Sequence, residues 1–168
     1  INAHTLINRK KLKLIDFLNV FFSLKIKSSY FNKCFMNPEV IIQKNIFSLI
    51  RDDRIQEARK KCIKLIQHYP KSEILYKALG LINHRLKKYK LGINYFKKSI
   101  AYNAIQPDVL NNIGICYKEE GDLKNSIKYY KKAIGLDNKY EDAFVNLGIS
   151  NKDMLDYGSS ITNFEKAL

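Results

Sequence analysis

Apolar residues recur with helical spacing in the second half of the chain. In residues 107–140, four small or apolar positions follow the spacing i, i+3, i+4 and i+7, which is typical of one buried helix face: Leu110, Ile113, Gly114 and Tyr117. This pattern predicts a helix from about Asp108 to Glu120. A second helix is predicted from about Leu123 to Gly135, because Ile127, Tyr130, Ala133 and Ile134 form its apolar face. Between them, Gly121 ends the first helix and Asp122 caps the second.

The same pattern returns every 34 residues. An apolar residue followed by glycine occurs at Leu79-Gly80, Ile113-Gly114 and Leu147-Gly148. Aromatic residues share the spacing (Phe96, Tyr130 and Phe164), and so do small residues (Gly92, Ser126 and Ser160). We expect the small residues to let paired helices approach closely, and Tyr117 and Tyr130 to fill the space between neighbouring units. The sequence therefore predicts an all-α chain of four units of two helices each, at residues 39–72, 73–106, 107–140 and 141–168.

These positions resemble the tetratricopeptide repeat (TPR) family, whose 34-residue pattern runs bulky residue, Leu-Gly, Tyr, small residue, aromatic, Ala and Pro. Unit 107–140 follows this pattern well. Unit 39–72 follows it least, because Ile46 stands in place of the Gly and only Ala58 and Pro70 match well. The resemblance, which extends to the TPR arms of O-linked N-acetylglucosamine transferase-like proteins, implies a right-handed superhelix, an α-solenoid. Its first helices would line a concave groove that binds a protein or peptide, and its second helices would form the outer face.

The resemblance also implies which residues line the groove. They are the first-helix residues that point away from the partner helix: Lys44, Phe47, Arg51, Lys77, Leu81, His84, Arg85, Asn111, Asn112, Ile115, Lys118, Val145, Asn146, Ile149 and Lys152. Asn112 and Asn146 match the asparagine ladder with which such transferases hold a partner's backbone, although asparagine is also common at this place in an asparagine-rich chain. A clamp for a C-terminal carboxylate is less favoured, because Gln43 and Phe47 occupy two of its positions.

Charge refines the expected partner. The chain carries 30 Lys+Arg and 16 Asp+Glu, a net charge of +14. The net charge is +6 in residues 1–38, +6 in residues 73–106 and −3 in residues 141–168. We therefore expect the groove to grade from basic to polar and to attract an acidic peptide. Of the 30 basic residues 25 are lysine, whereas nucleic-acid surfaces are usually richer in arginine, so a solvated lysine surface is favoured over nucleic-acid binding.

No sequence motif points to catalysis. The sequence contains neither a phosphate-binding glycine loop nor a nucleophile elbow, and its three histidines lie far apart. We therefore expect no enzymatic activity, no cofactor and no metal site, and a solvated groove histidine at His84. Cys62 and Cys116 fall on inward helix faces and are expected in the core. Three widely spaced cysteines favour a reducing compartment, and we expect a cytoplasmic protein.

Residues 1–38 form a separate basic and apolar segment, for which three interpretations stay open. The basic amphipathic stretch at residues 9–26 can lie on a membrane surface, although it is too short and too polar to span one. The segment can instead add a helix that packs on the first unit. A third interpretation is that the protein begins at Met36. At the other end, Leu168 closes a second helix, so we expect either further repeats or a binding face there.

Together these observations predict a protein-interaction module that acts as a scaffold or adaptor. The alternative hypothesis is that the chain is the substrate-presenting TPR arm of a larger glycosyltransferase or sulfotransferase, whose catalytic domain lies outside these residues. The oligomeric state stays open, because repeat ends can also stack between chains.

Overall fold

The described array consists of helices only. A computed structural model describes residues 38–168, in which eight helices follow one another: α1 (Pro38–Arg51), α2 (Ile55–Ile66), α3 (Glu73–Arg85), α4 (Tyr89–Tyr102), α5 (Pro107–Glu119), α6 (Leu123–Leu136), α7 (Glu141–Asp153) and α8 (Tyr157–Lys166). The packing described below lies in the compact unit Ile42–Leu168. The two helices predicted in residues 107–140 are confirmed to within one residue at each end. The predictions for residues 1–37 lie outside the described residues.

The turn between the two helices of a unit has the same backbone conformation in all four units. One residue per turn adopts a left-handed φ: 56° at Asp53, 56° at Lys87, 79° at Gly121 and 63° at Leu155. The N–H of the following residue donates to the carbonyl five residues earlier, over 2.8 Å from Arg54 and 2.9 Å from Asp122. These bonds form the Schellman motif, which satisfies the last carbonyls of a helix. Only one of the four turns contains glycine, so the packing of the helices holds the other three residues in an unfavourable region.

Side-chain caps begin the second helix in two units. The Asp122 carboxylate accepts a hydrogen bond from the backbone N–H of Asn125 at 3.0 Å, and Asp156 accepts one from Ser159 at 3.1 Å. Hydrogen bonds to the charged form lower the pKa of both carboxyl groups. The predicted cap at Asp122 is therefore present.

Within a unit, a glycine of the first helix receives an aromatic ring of the second. A Cβ atom at Gly80 would lie 2.4 Å from the ring of Phe96, one at Gly114 would lie 2.5 Å from Tyr130, and one at Gly148 would lie 2.7 Å from Phe164. Hydrogen is therefore the only substituent that leaves room for the ring. The ring of Tyr130 fills space inside its own unit, and its hydroxyl lies close to Ser150 on the first helix of the next unit, so this residue contacts both units.

The first unit keeps the same volume by exchanging large and small residues. Ile46 occupies the place of the glycine, and Cys62, 34 residues before Phe96, occupies the place of the aromatic ring. Both side chains are fully buried in one apolar cluster. A larger residue on the first helix thus faces a smaller one on the second, which explains why this unit departs from the repeat pattern yet has a buried core.

Between units, the first helix of each unit covers the second helix of the unit before it. One buried cluster joins Ile93 and Phe96 of α4 to Val109, Ile113 and Cys116 of α5. Successive first helices (α3, α5 and α7) also contact one another, so they lie on the inner side of the stack and the second helices lie outside. Two residues at the same repeat position show the effect of this cover. Ile93 on α4 is 5% exposed, whereas the equivalent Ile161 on α8 is 59% exposed.

The glycine–aromatic contact can be tested by adding one methyl group. We expect Gly114→Ala to lower the free energy of unfolding by about 1–3 kcal/mol, because the buried Tyr130 ring has no room to move. Gly135→Ala is the matched control, since nothing lies within 4 Å of its Cβ position, and it should raise stability by about 0.5–1 kcal/mol. Urea denaturation of both variants measures the difference. Equal effects of the two substitutions would contradict the assigned contact.

The turn conformation can be tested by exchanging residues between two units. We expect Leu155→Gly to raise the free energy of unfolding by up to about 1 kcal/mol, because leucine is unfavourable at a left-handed φ and this side chain is largely exposed. The converse change, Gly121→Leu, should lower it by about 1–2 kcal/mol. The prediction requires the urea midpoint to rise in Leu155→Gly and to fall in Gly121→Leu. A loss of stability in both variants would show that the two turns differ in conformation.

Candidate functional site

The inner side of the stack forms the candidate binding surface. We call it the groove face and define it by the following twelve first-helix residues. Lys44, Arg51, Arg85, Val145 and Lys152 are exposed there, and Lys77, His84, Asn112, Ile115, Lys118, Asn146 and Ile149 are half-buried. The structure thus places most of the residues predicted to line a groove on a solvent-accessible surface of the first helices.

Three predicted groove residues serve the core instead. Phe47 and Leu81 are half-buried and pack against the apolar cluster shared by the first two units. Asn111 is only 5% exposed, so its prediction as a groove-lining residue was wrong. Helical spacing alone did not distinguish these side chains, because they lie at the border between the groove face and the contact with the neighbouring unit.

Asparagine side chains connect two neighbouring first helices. The Asn146 side-chain nitrogen donates a hydrogen bond to the Asn111 side-chain oxygen over 3.0 Å, between α7 and α5. The residue that meets Asn146 is therefore Asn111, and not the Asn112 that shares its repeat position. An amide has two N–H groups and an acceptor oxygen, so Asn146 retains capacity to bind a peptide backbone after making this bond.

Ion pairs between first helices neutralise part of the groove face. Lys77 of α3 pairs with Asp108 of α5, and Lys118 of α5 lies 3.8 Å from Asp153 of α7. The sequence analysis did not place these two aspartates in the groove. Each lies on the first helix that follows the helix of its lysine, and an acidic residue at that place was the signal that could have predicted the pair. Because neighbouring carboxylates compensate these lysines, the groove face is less basic there than the charge of whole units suggests.

The charge of the first helices grades along the array, from four Lys or Arg and two acids on α1 and α3 to two Lys or Arg and five acids on α5 and α7. The four first helices contain six Lys or Arg residues and seven Asp or Glu residues. The second helices α2, α4 and α6 contain eleven Lys or Arg residues and a single acid, Glu57. Most of the positive charge of the described helices therefore lies on the outer side, where Lys97 and Lys98 are exposed. The net charge of a whole unit does not show this difference, because each unit contributes residues to both sides.

His84 packs towards the third unit. Its ring lies 5.7 Å from the ring of Tyr89, whose hydroxyl donates to the Glu119 carboxylate at 3.3 Å. Partial burial lowers the pKa of His84, Glu119 opposes this shift and Arg85 adds to it. The lowered pKa favours the neutral imidazole, and the expected solvated groove histidine is in fact half-buried between two units.

The cysteines lie in the core, as predicted. Cys62 and Cys116 are fully buried, and burial raises the pKa of both thiols to about 12. Residues 38–168 contain no group of three potential metal ligands. None of the described helices is long and apolar enough to cross a membrane.

Comparison with known proteins establishes the fold. Residues 107–140 match the family described as tetratricopeptide repeat. A crystal structure of MamA is similar over 83% of this chain and 81% of its own, with 19% identity and a TM-score of 0.71. MamA from Desulfovibrio magneticus RS-1 is similar over 75% of this chain and 71% of its own, with 20% identity and a TM-score of 0.69. Pseudomonas aeruginosa PilF is similar over 76% of this chain and 59% of its own, with 21% identity and a TM-score of 0.70.

No curated protein sequence matches the chain significantly. The similar structures share too little sequence to show more than the fold, but together with the matched repeat they confirm the predicted all-α TPR array. The predicted likeness to transferase arms is not shown by these comparisons. It stays a prediction that rests on Asn112 and Asn146.

The buried thiols give a simple test of the core. In a Cys34→Ser variant, which removes the cysteine outside the described residues, we expect negligible reaction with a thiol reagent at pH 8. Burial blocks access, and a pKa near 12 leaves almost no thiolate. Both remaining thiols should react once urea unfolds the chain. Rapid labelling of either thiol in the folded protein would contradict their placement in the core.

Proposed function

We propose that this chain is a protein-interaction module that binds a peptide segment on the groove face. The TPR fold supports a role in protein interaction in general. The observation that supports this particular surface is the combination of half-buried amides and apolar side chains along neighbouring first helices, with Asn112 and Ile115 on α5 and Asn146 and Ile149 on α7. Such a surface offers hydrogen bonds to a peptide backbone and apolar contact to its side chains.

The charge of the groove face indicates a limited role for electrostatics in this binding. Lys77 and Lys118 are paired with carboxylates, whereas Lys44 and Arg85 at the α1–α3 end are exposed, and the exposed Arg51 lies 3.9 Å from Asp52. An acidic partner, as the sequence predicted, would therefore place its negative charge against that end only. We propose that shape and backbone hydrogen bonds contribute more to affinity than charge does, so binding should depend weakly on salt.

The alternative role as a substrate-presenting arm of a transferase remains a hypothesis. It would use the same groove face and the same asparagines, and the described residues favour no transferase in particular. The proposal assigns no chemical step to residues 38–168.

A random dodecapeptide library displayed on phage provides the test. Peptides selected on the full chain are synthesised with a fluorescent label, and their affinity is measured by anisotropy. We expect Asn112→Ala combined with Asn146→Ala to weaken binding by about tenfold or more, since two hydrogen bonds of about 1 kcal/mol each are lost. Asn94→Ala combined with Asn138→Ala is the matched control, because both residues are exposed outside the first helices, and it should change affinity by less than about twofold.

Two further measurements keep this test interpretable. Thermal unfolding of each variant checks that loss of the Asn146–Asn111 bond has not unfolded the array, and Asn112→Ala alone leaves that bond intact. The proposal is wrong if the selected peptides bind both double variants equally well, or if the control variant loses as much affinity as the groove variant.

A further inference from the structure

The outer side of the array carries a continuous set of exposed lysines. Helices α2, α4 and α6 each present one face to solvent, and ten lysines on these faces are exposed, three on α2, three on α4 and four on α6. Helices α4 and α6 contain no acidic residue at all. We call this surface the lysine face.

The repeat aligns these lysines into rows. Lys64, Lys98 and Lys132 are each 34 residues apart and therefore occupy the same position on three successive second helices, and Lys97 and Lys131 form a second row beside them. Ion pairs compensate few of these charges. Among the described residues, carboxylates lie within ion-pair distance of only two of the ten lysines, at 3.5 Å for Lys61 and 3.7 Å for Lys90. The rows therefore form a broad surface of uncompensated positive charge.

Tyrosine rings support three of the lysine side chains. The side-chain nitrogen of Lys98 lies 5.6 Å from the centre of the Tyr76 ring, and that of Lys132 lies 5.2 Å from the centre of the Tyr129 ring. Lys97 lies in the same way over Tyr117 and also donates to its hydroxyl at 3.2 Å. These contacts hold the lysine stems while the side chains stay exposed.

We propose that the lysine face binds the surface of an anionic phospholipid bilayer. Clusters of lysines on helices attract anionic headgroups, and each lysine adds to the attraction. Exposed apolar side chains lie among the lysines, with Ile63 47% exposed, Leu91 40% and Leu136 45%, as in helices that rest in the interfacial layer of a membrane. The lysines are spread over three helices on the outer side of the stack, and such an area suits a flat, diffuse anionic surface.

Other occupants fit the lysine face less well. Residues 1–38 carry a net charge of +6, so like-charge repulsion disfavours this chain's own N-terminal segment. Single-stranded nucleic acid needs aromatic rings free to stack on bases, whereas Tyr117 and Tyr129 stack on each other with centres 5.4 Å apart and also carry lysines. Duplex reading favours arginine, and the exposed cations of this face are lysines.

Sedimentation of the full chain with phospholipid vesicles tests the proposal. The probe is phosphatidylcholine with about 30% phosphatidylserine, compared with phosphatidylcholine alone, at about 0.1 M salt. The test variant combines Lys97→Gln, Lys98→Gln, Lys131→Gln and Lys132→Gln. The matched control combines Lys44→Gln, Arg51→Gln, Arg85→Gln and Lys152→Gln, which removes the same charge from exposed residues of the first helices.

We expect the wild type to bind the anionic vesicles, the test variant to bind at least about tenfold more weakly, and the control to stay within about threefold of the wild type. Circular dichroism confirms that both variants are folded. Absence of wild-type binding, an equal loss in both variants, or no loss in the test variant each overturns the proposal, because binding would then be absent, depend on total charge or depend on residues 1–37.

Two rival occupants have distinct signatures in the same experiment. Tighter binding to a single-stranded oligonucleotide than to the vesicles, lost in the test variant, would assign the lysine face to nucleic acid. Concentration-dependent self-association that disappears in the test variant would assign it to a second copy of the chain, whose last unit carries a net charge of −3. Either result overturns the lipid assignment. Failure of the lysine-face test leaves the proposed peptide binding on the groove face unaffected, because the two surfaces share no residue.

Discussion

The structure depends on one contact that three of the four units repeat, an aromatic ring of the second helix packed against a glycine of the first helix. In three units the ring occupies the space that a Cβ atom would need. The contact sets how closely the two helices approach, and the rings of Phe96 and Tyr130 are fully buried in it. In the first unit the fully buried pair Ile46 and Cys62 reaches the same result with the large and small residues exchanged, so the requirement concerns the summed volume of the pair.

Stacking the helix pairs gives the array two sides of different character. Successive first helices lie close together, so acids and bases on neighbouring helices come within pairing distance and asparagines bond across the gap. On the second helices α4 and α6 all side-chain charge is positive, which leaves most of it uncompensated. The inner side therefore offers specific, nearly neutral contacts, whereas the outer side offers diffuse attraction to anions.

The sequence predicted the helices and the repeat period accurately, but it predicted the groove residues less accurately. The spacing of apolar residues determined both helices of unit 107–140 to within one residue, because a buried helix face imposes its period directly. The burial of Asn111 and of part of Leu81 depends on how far the next unit's first helix reaches across, and the period within one unit does not contain that distance. The pairing of Lys77 with Asp108 was missed for the same reason.

The sequence by itself determined that this protein is a helical repeat and that Cys62 and Cys116 are buried, because these properties follow from local periodicity and side-chain size. The tertiary structure alone decided on which side the charge lies, which asparagines meet, and that Asp53, Lys87 and Leu155 adopt the turn conformation that glycine adopts in the third unit. These properties depend on contacts between helices that are distant in sequence. Such contacts form only when the units stack, and their energy outweighs local preferences of about 1–2 kcal/mol per residue.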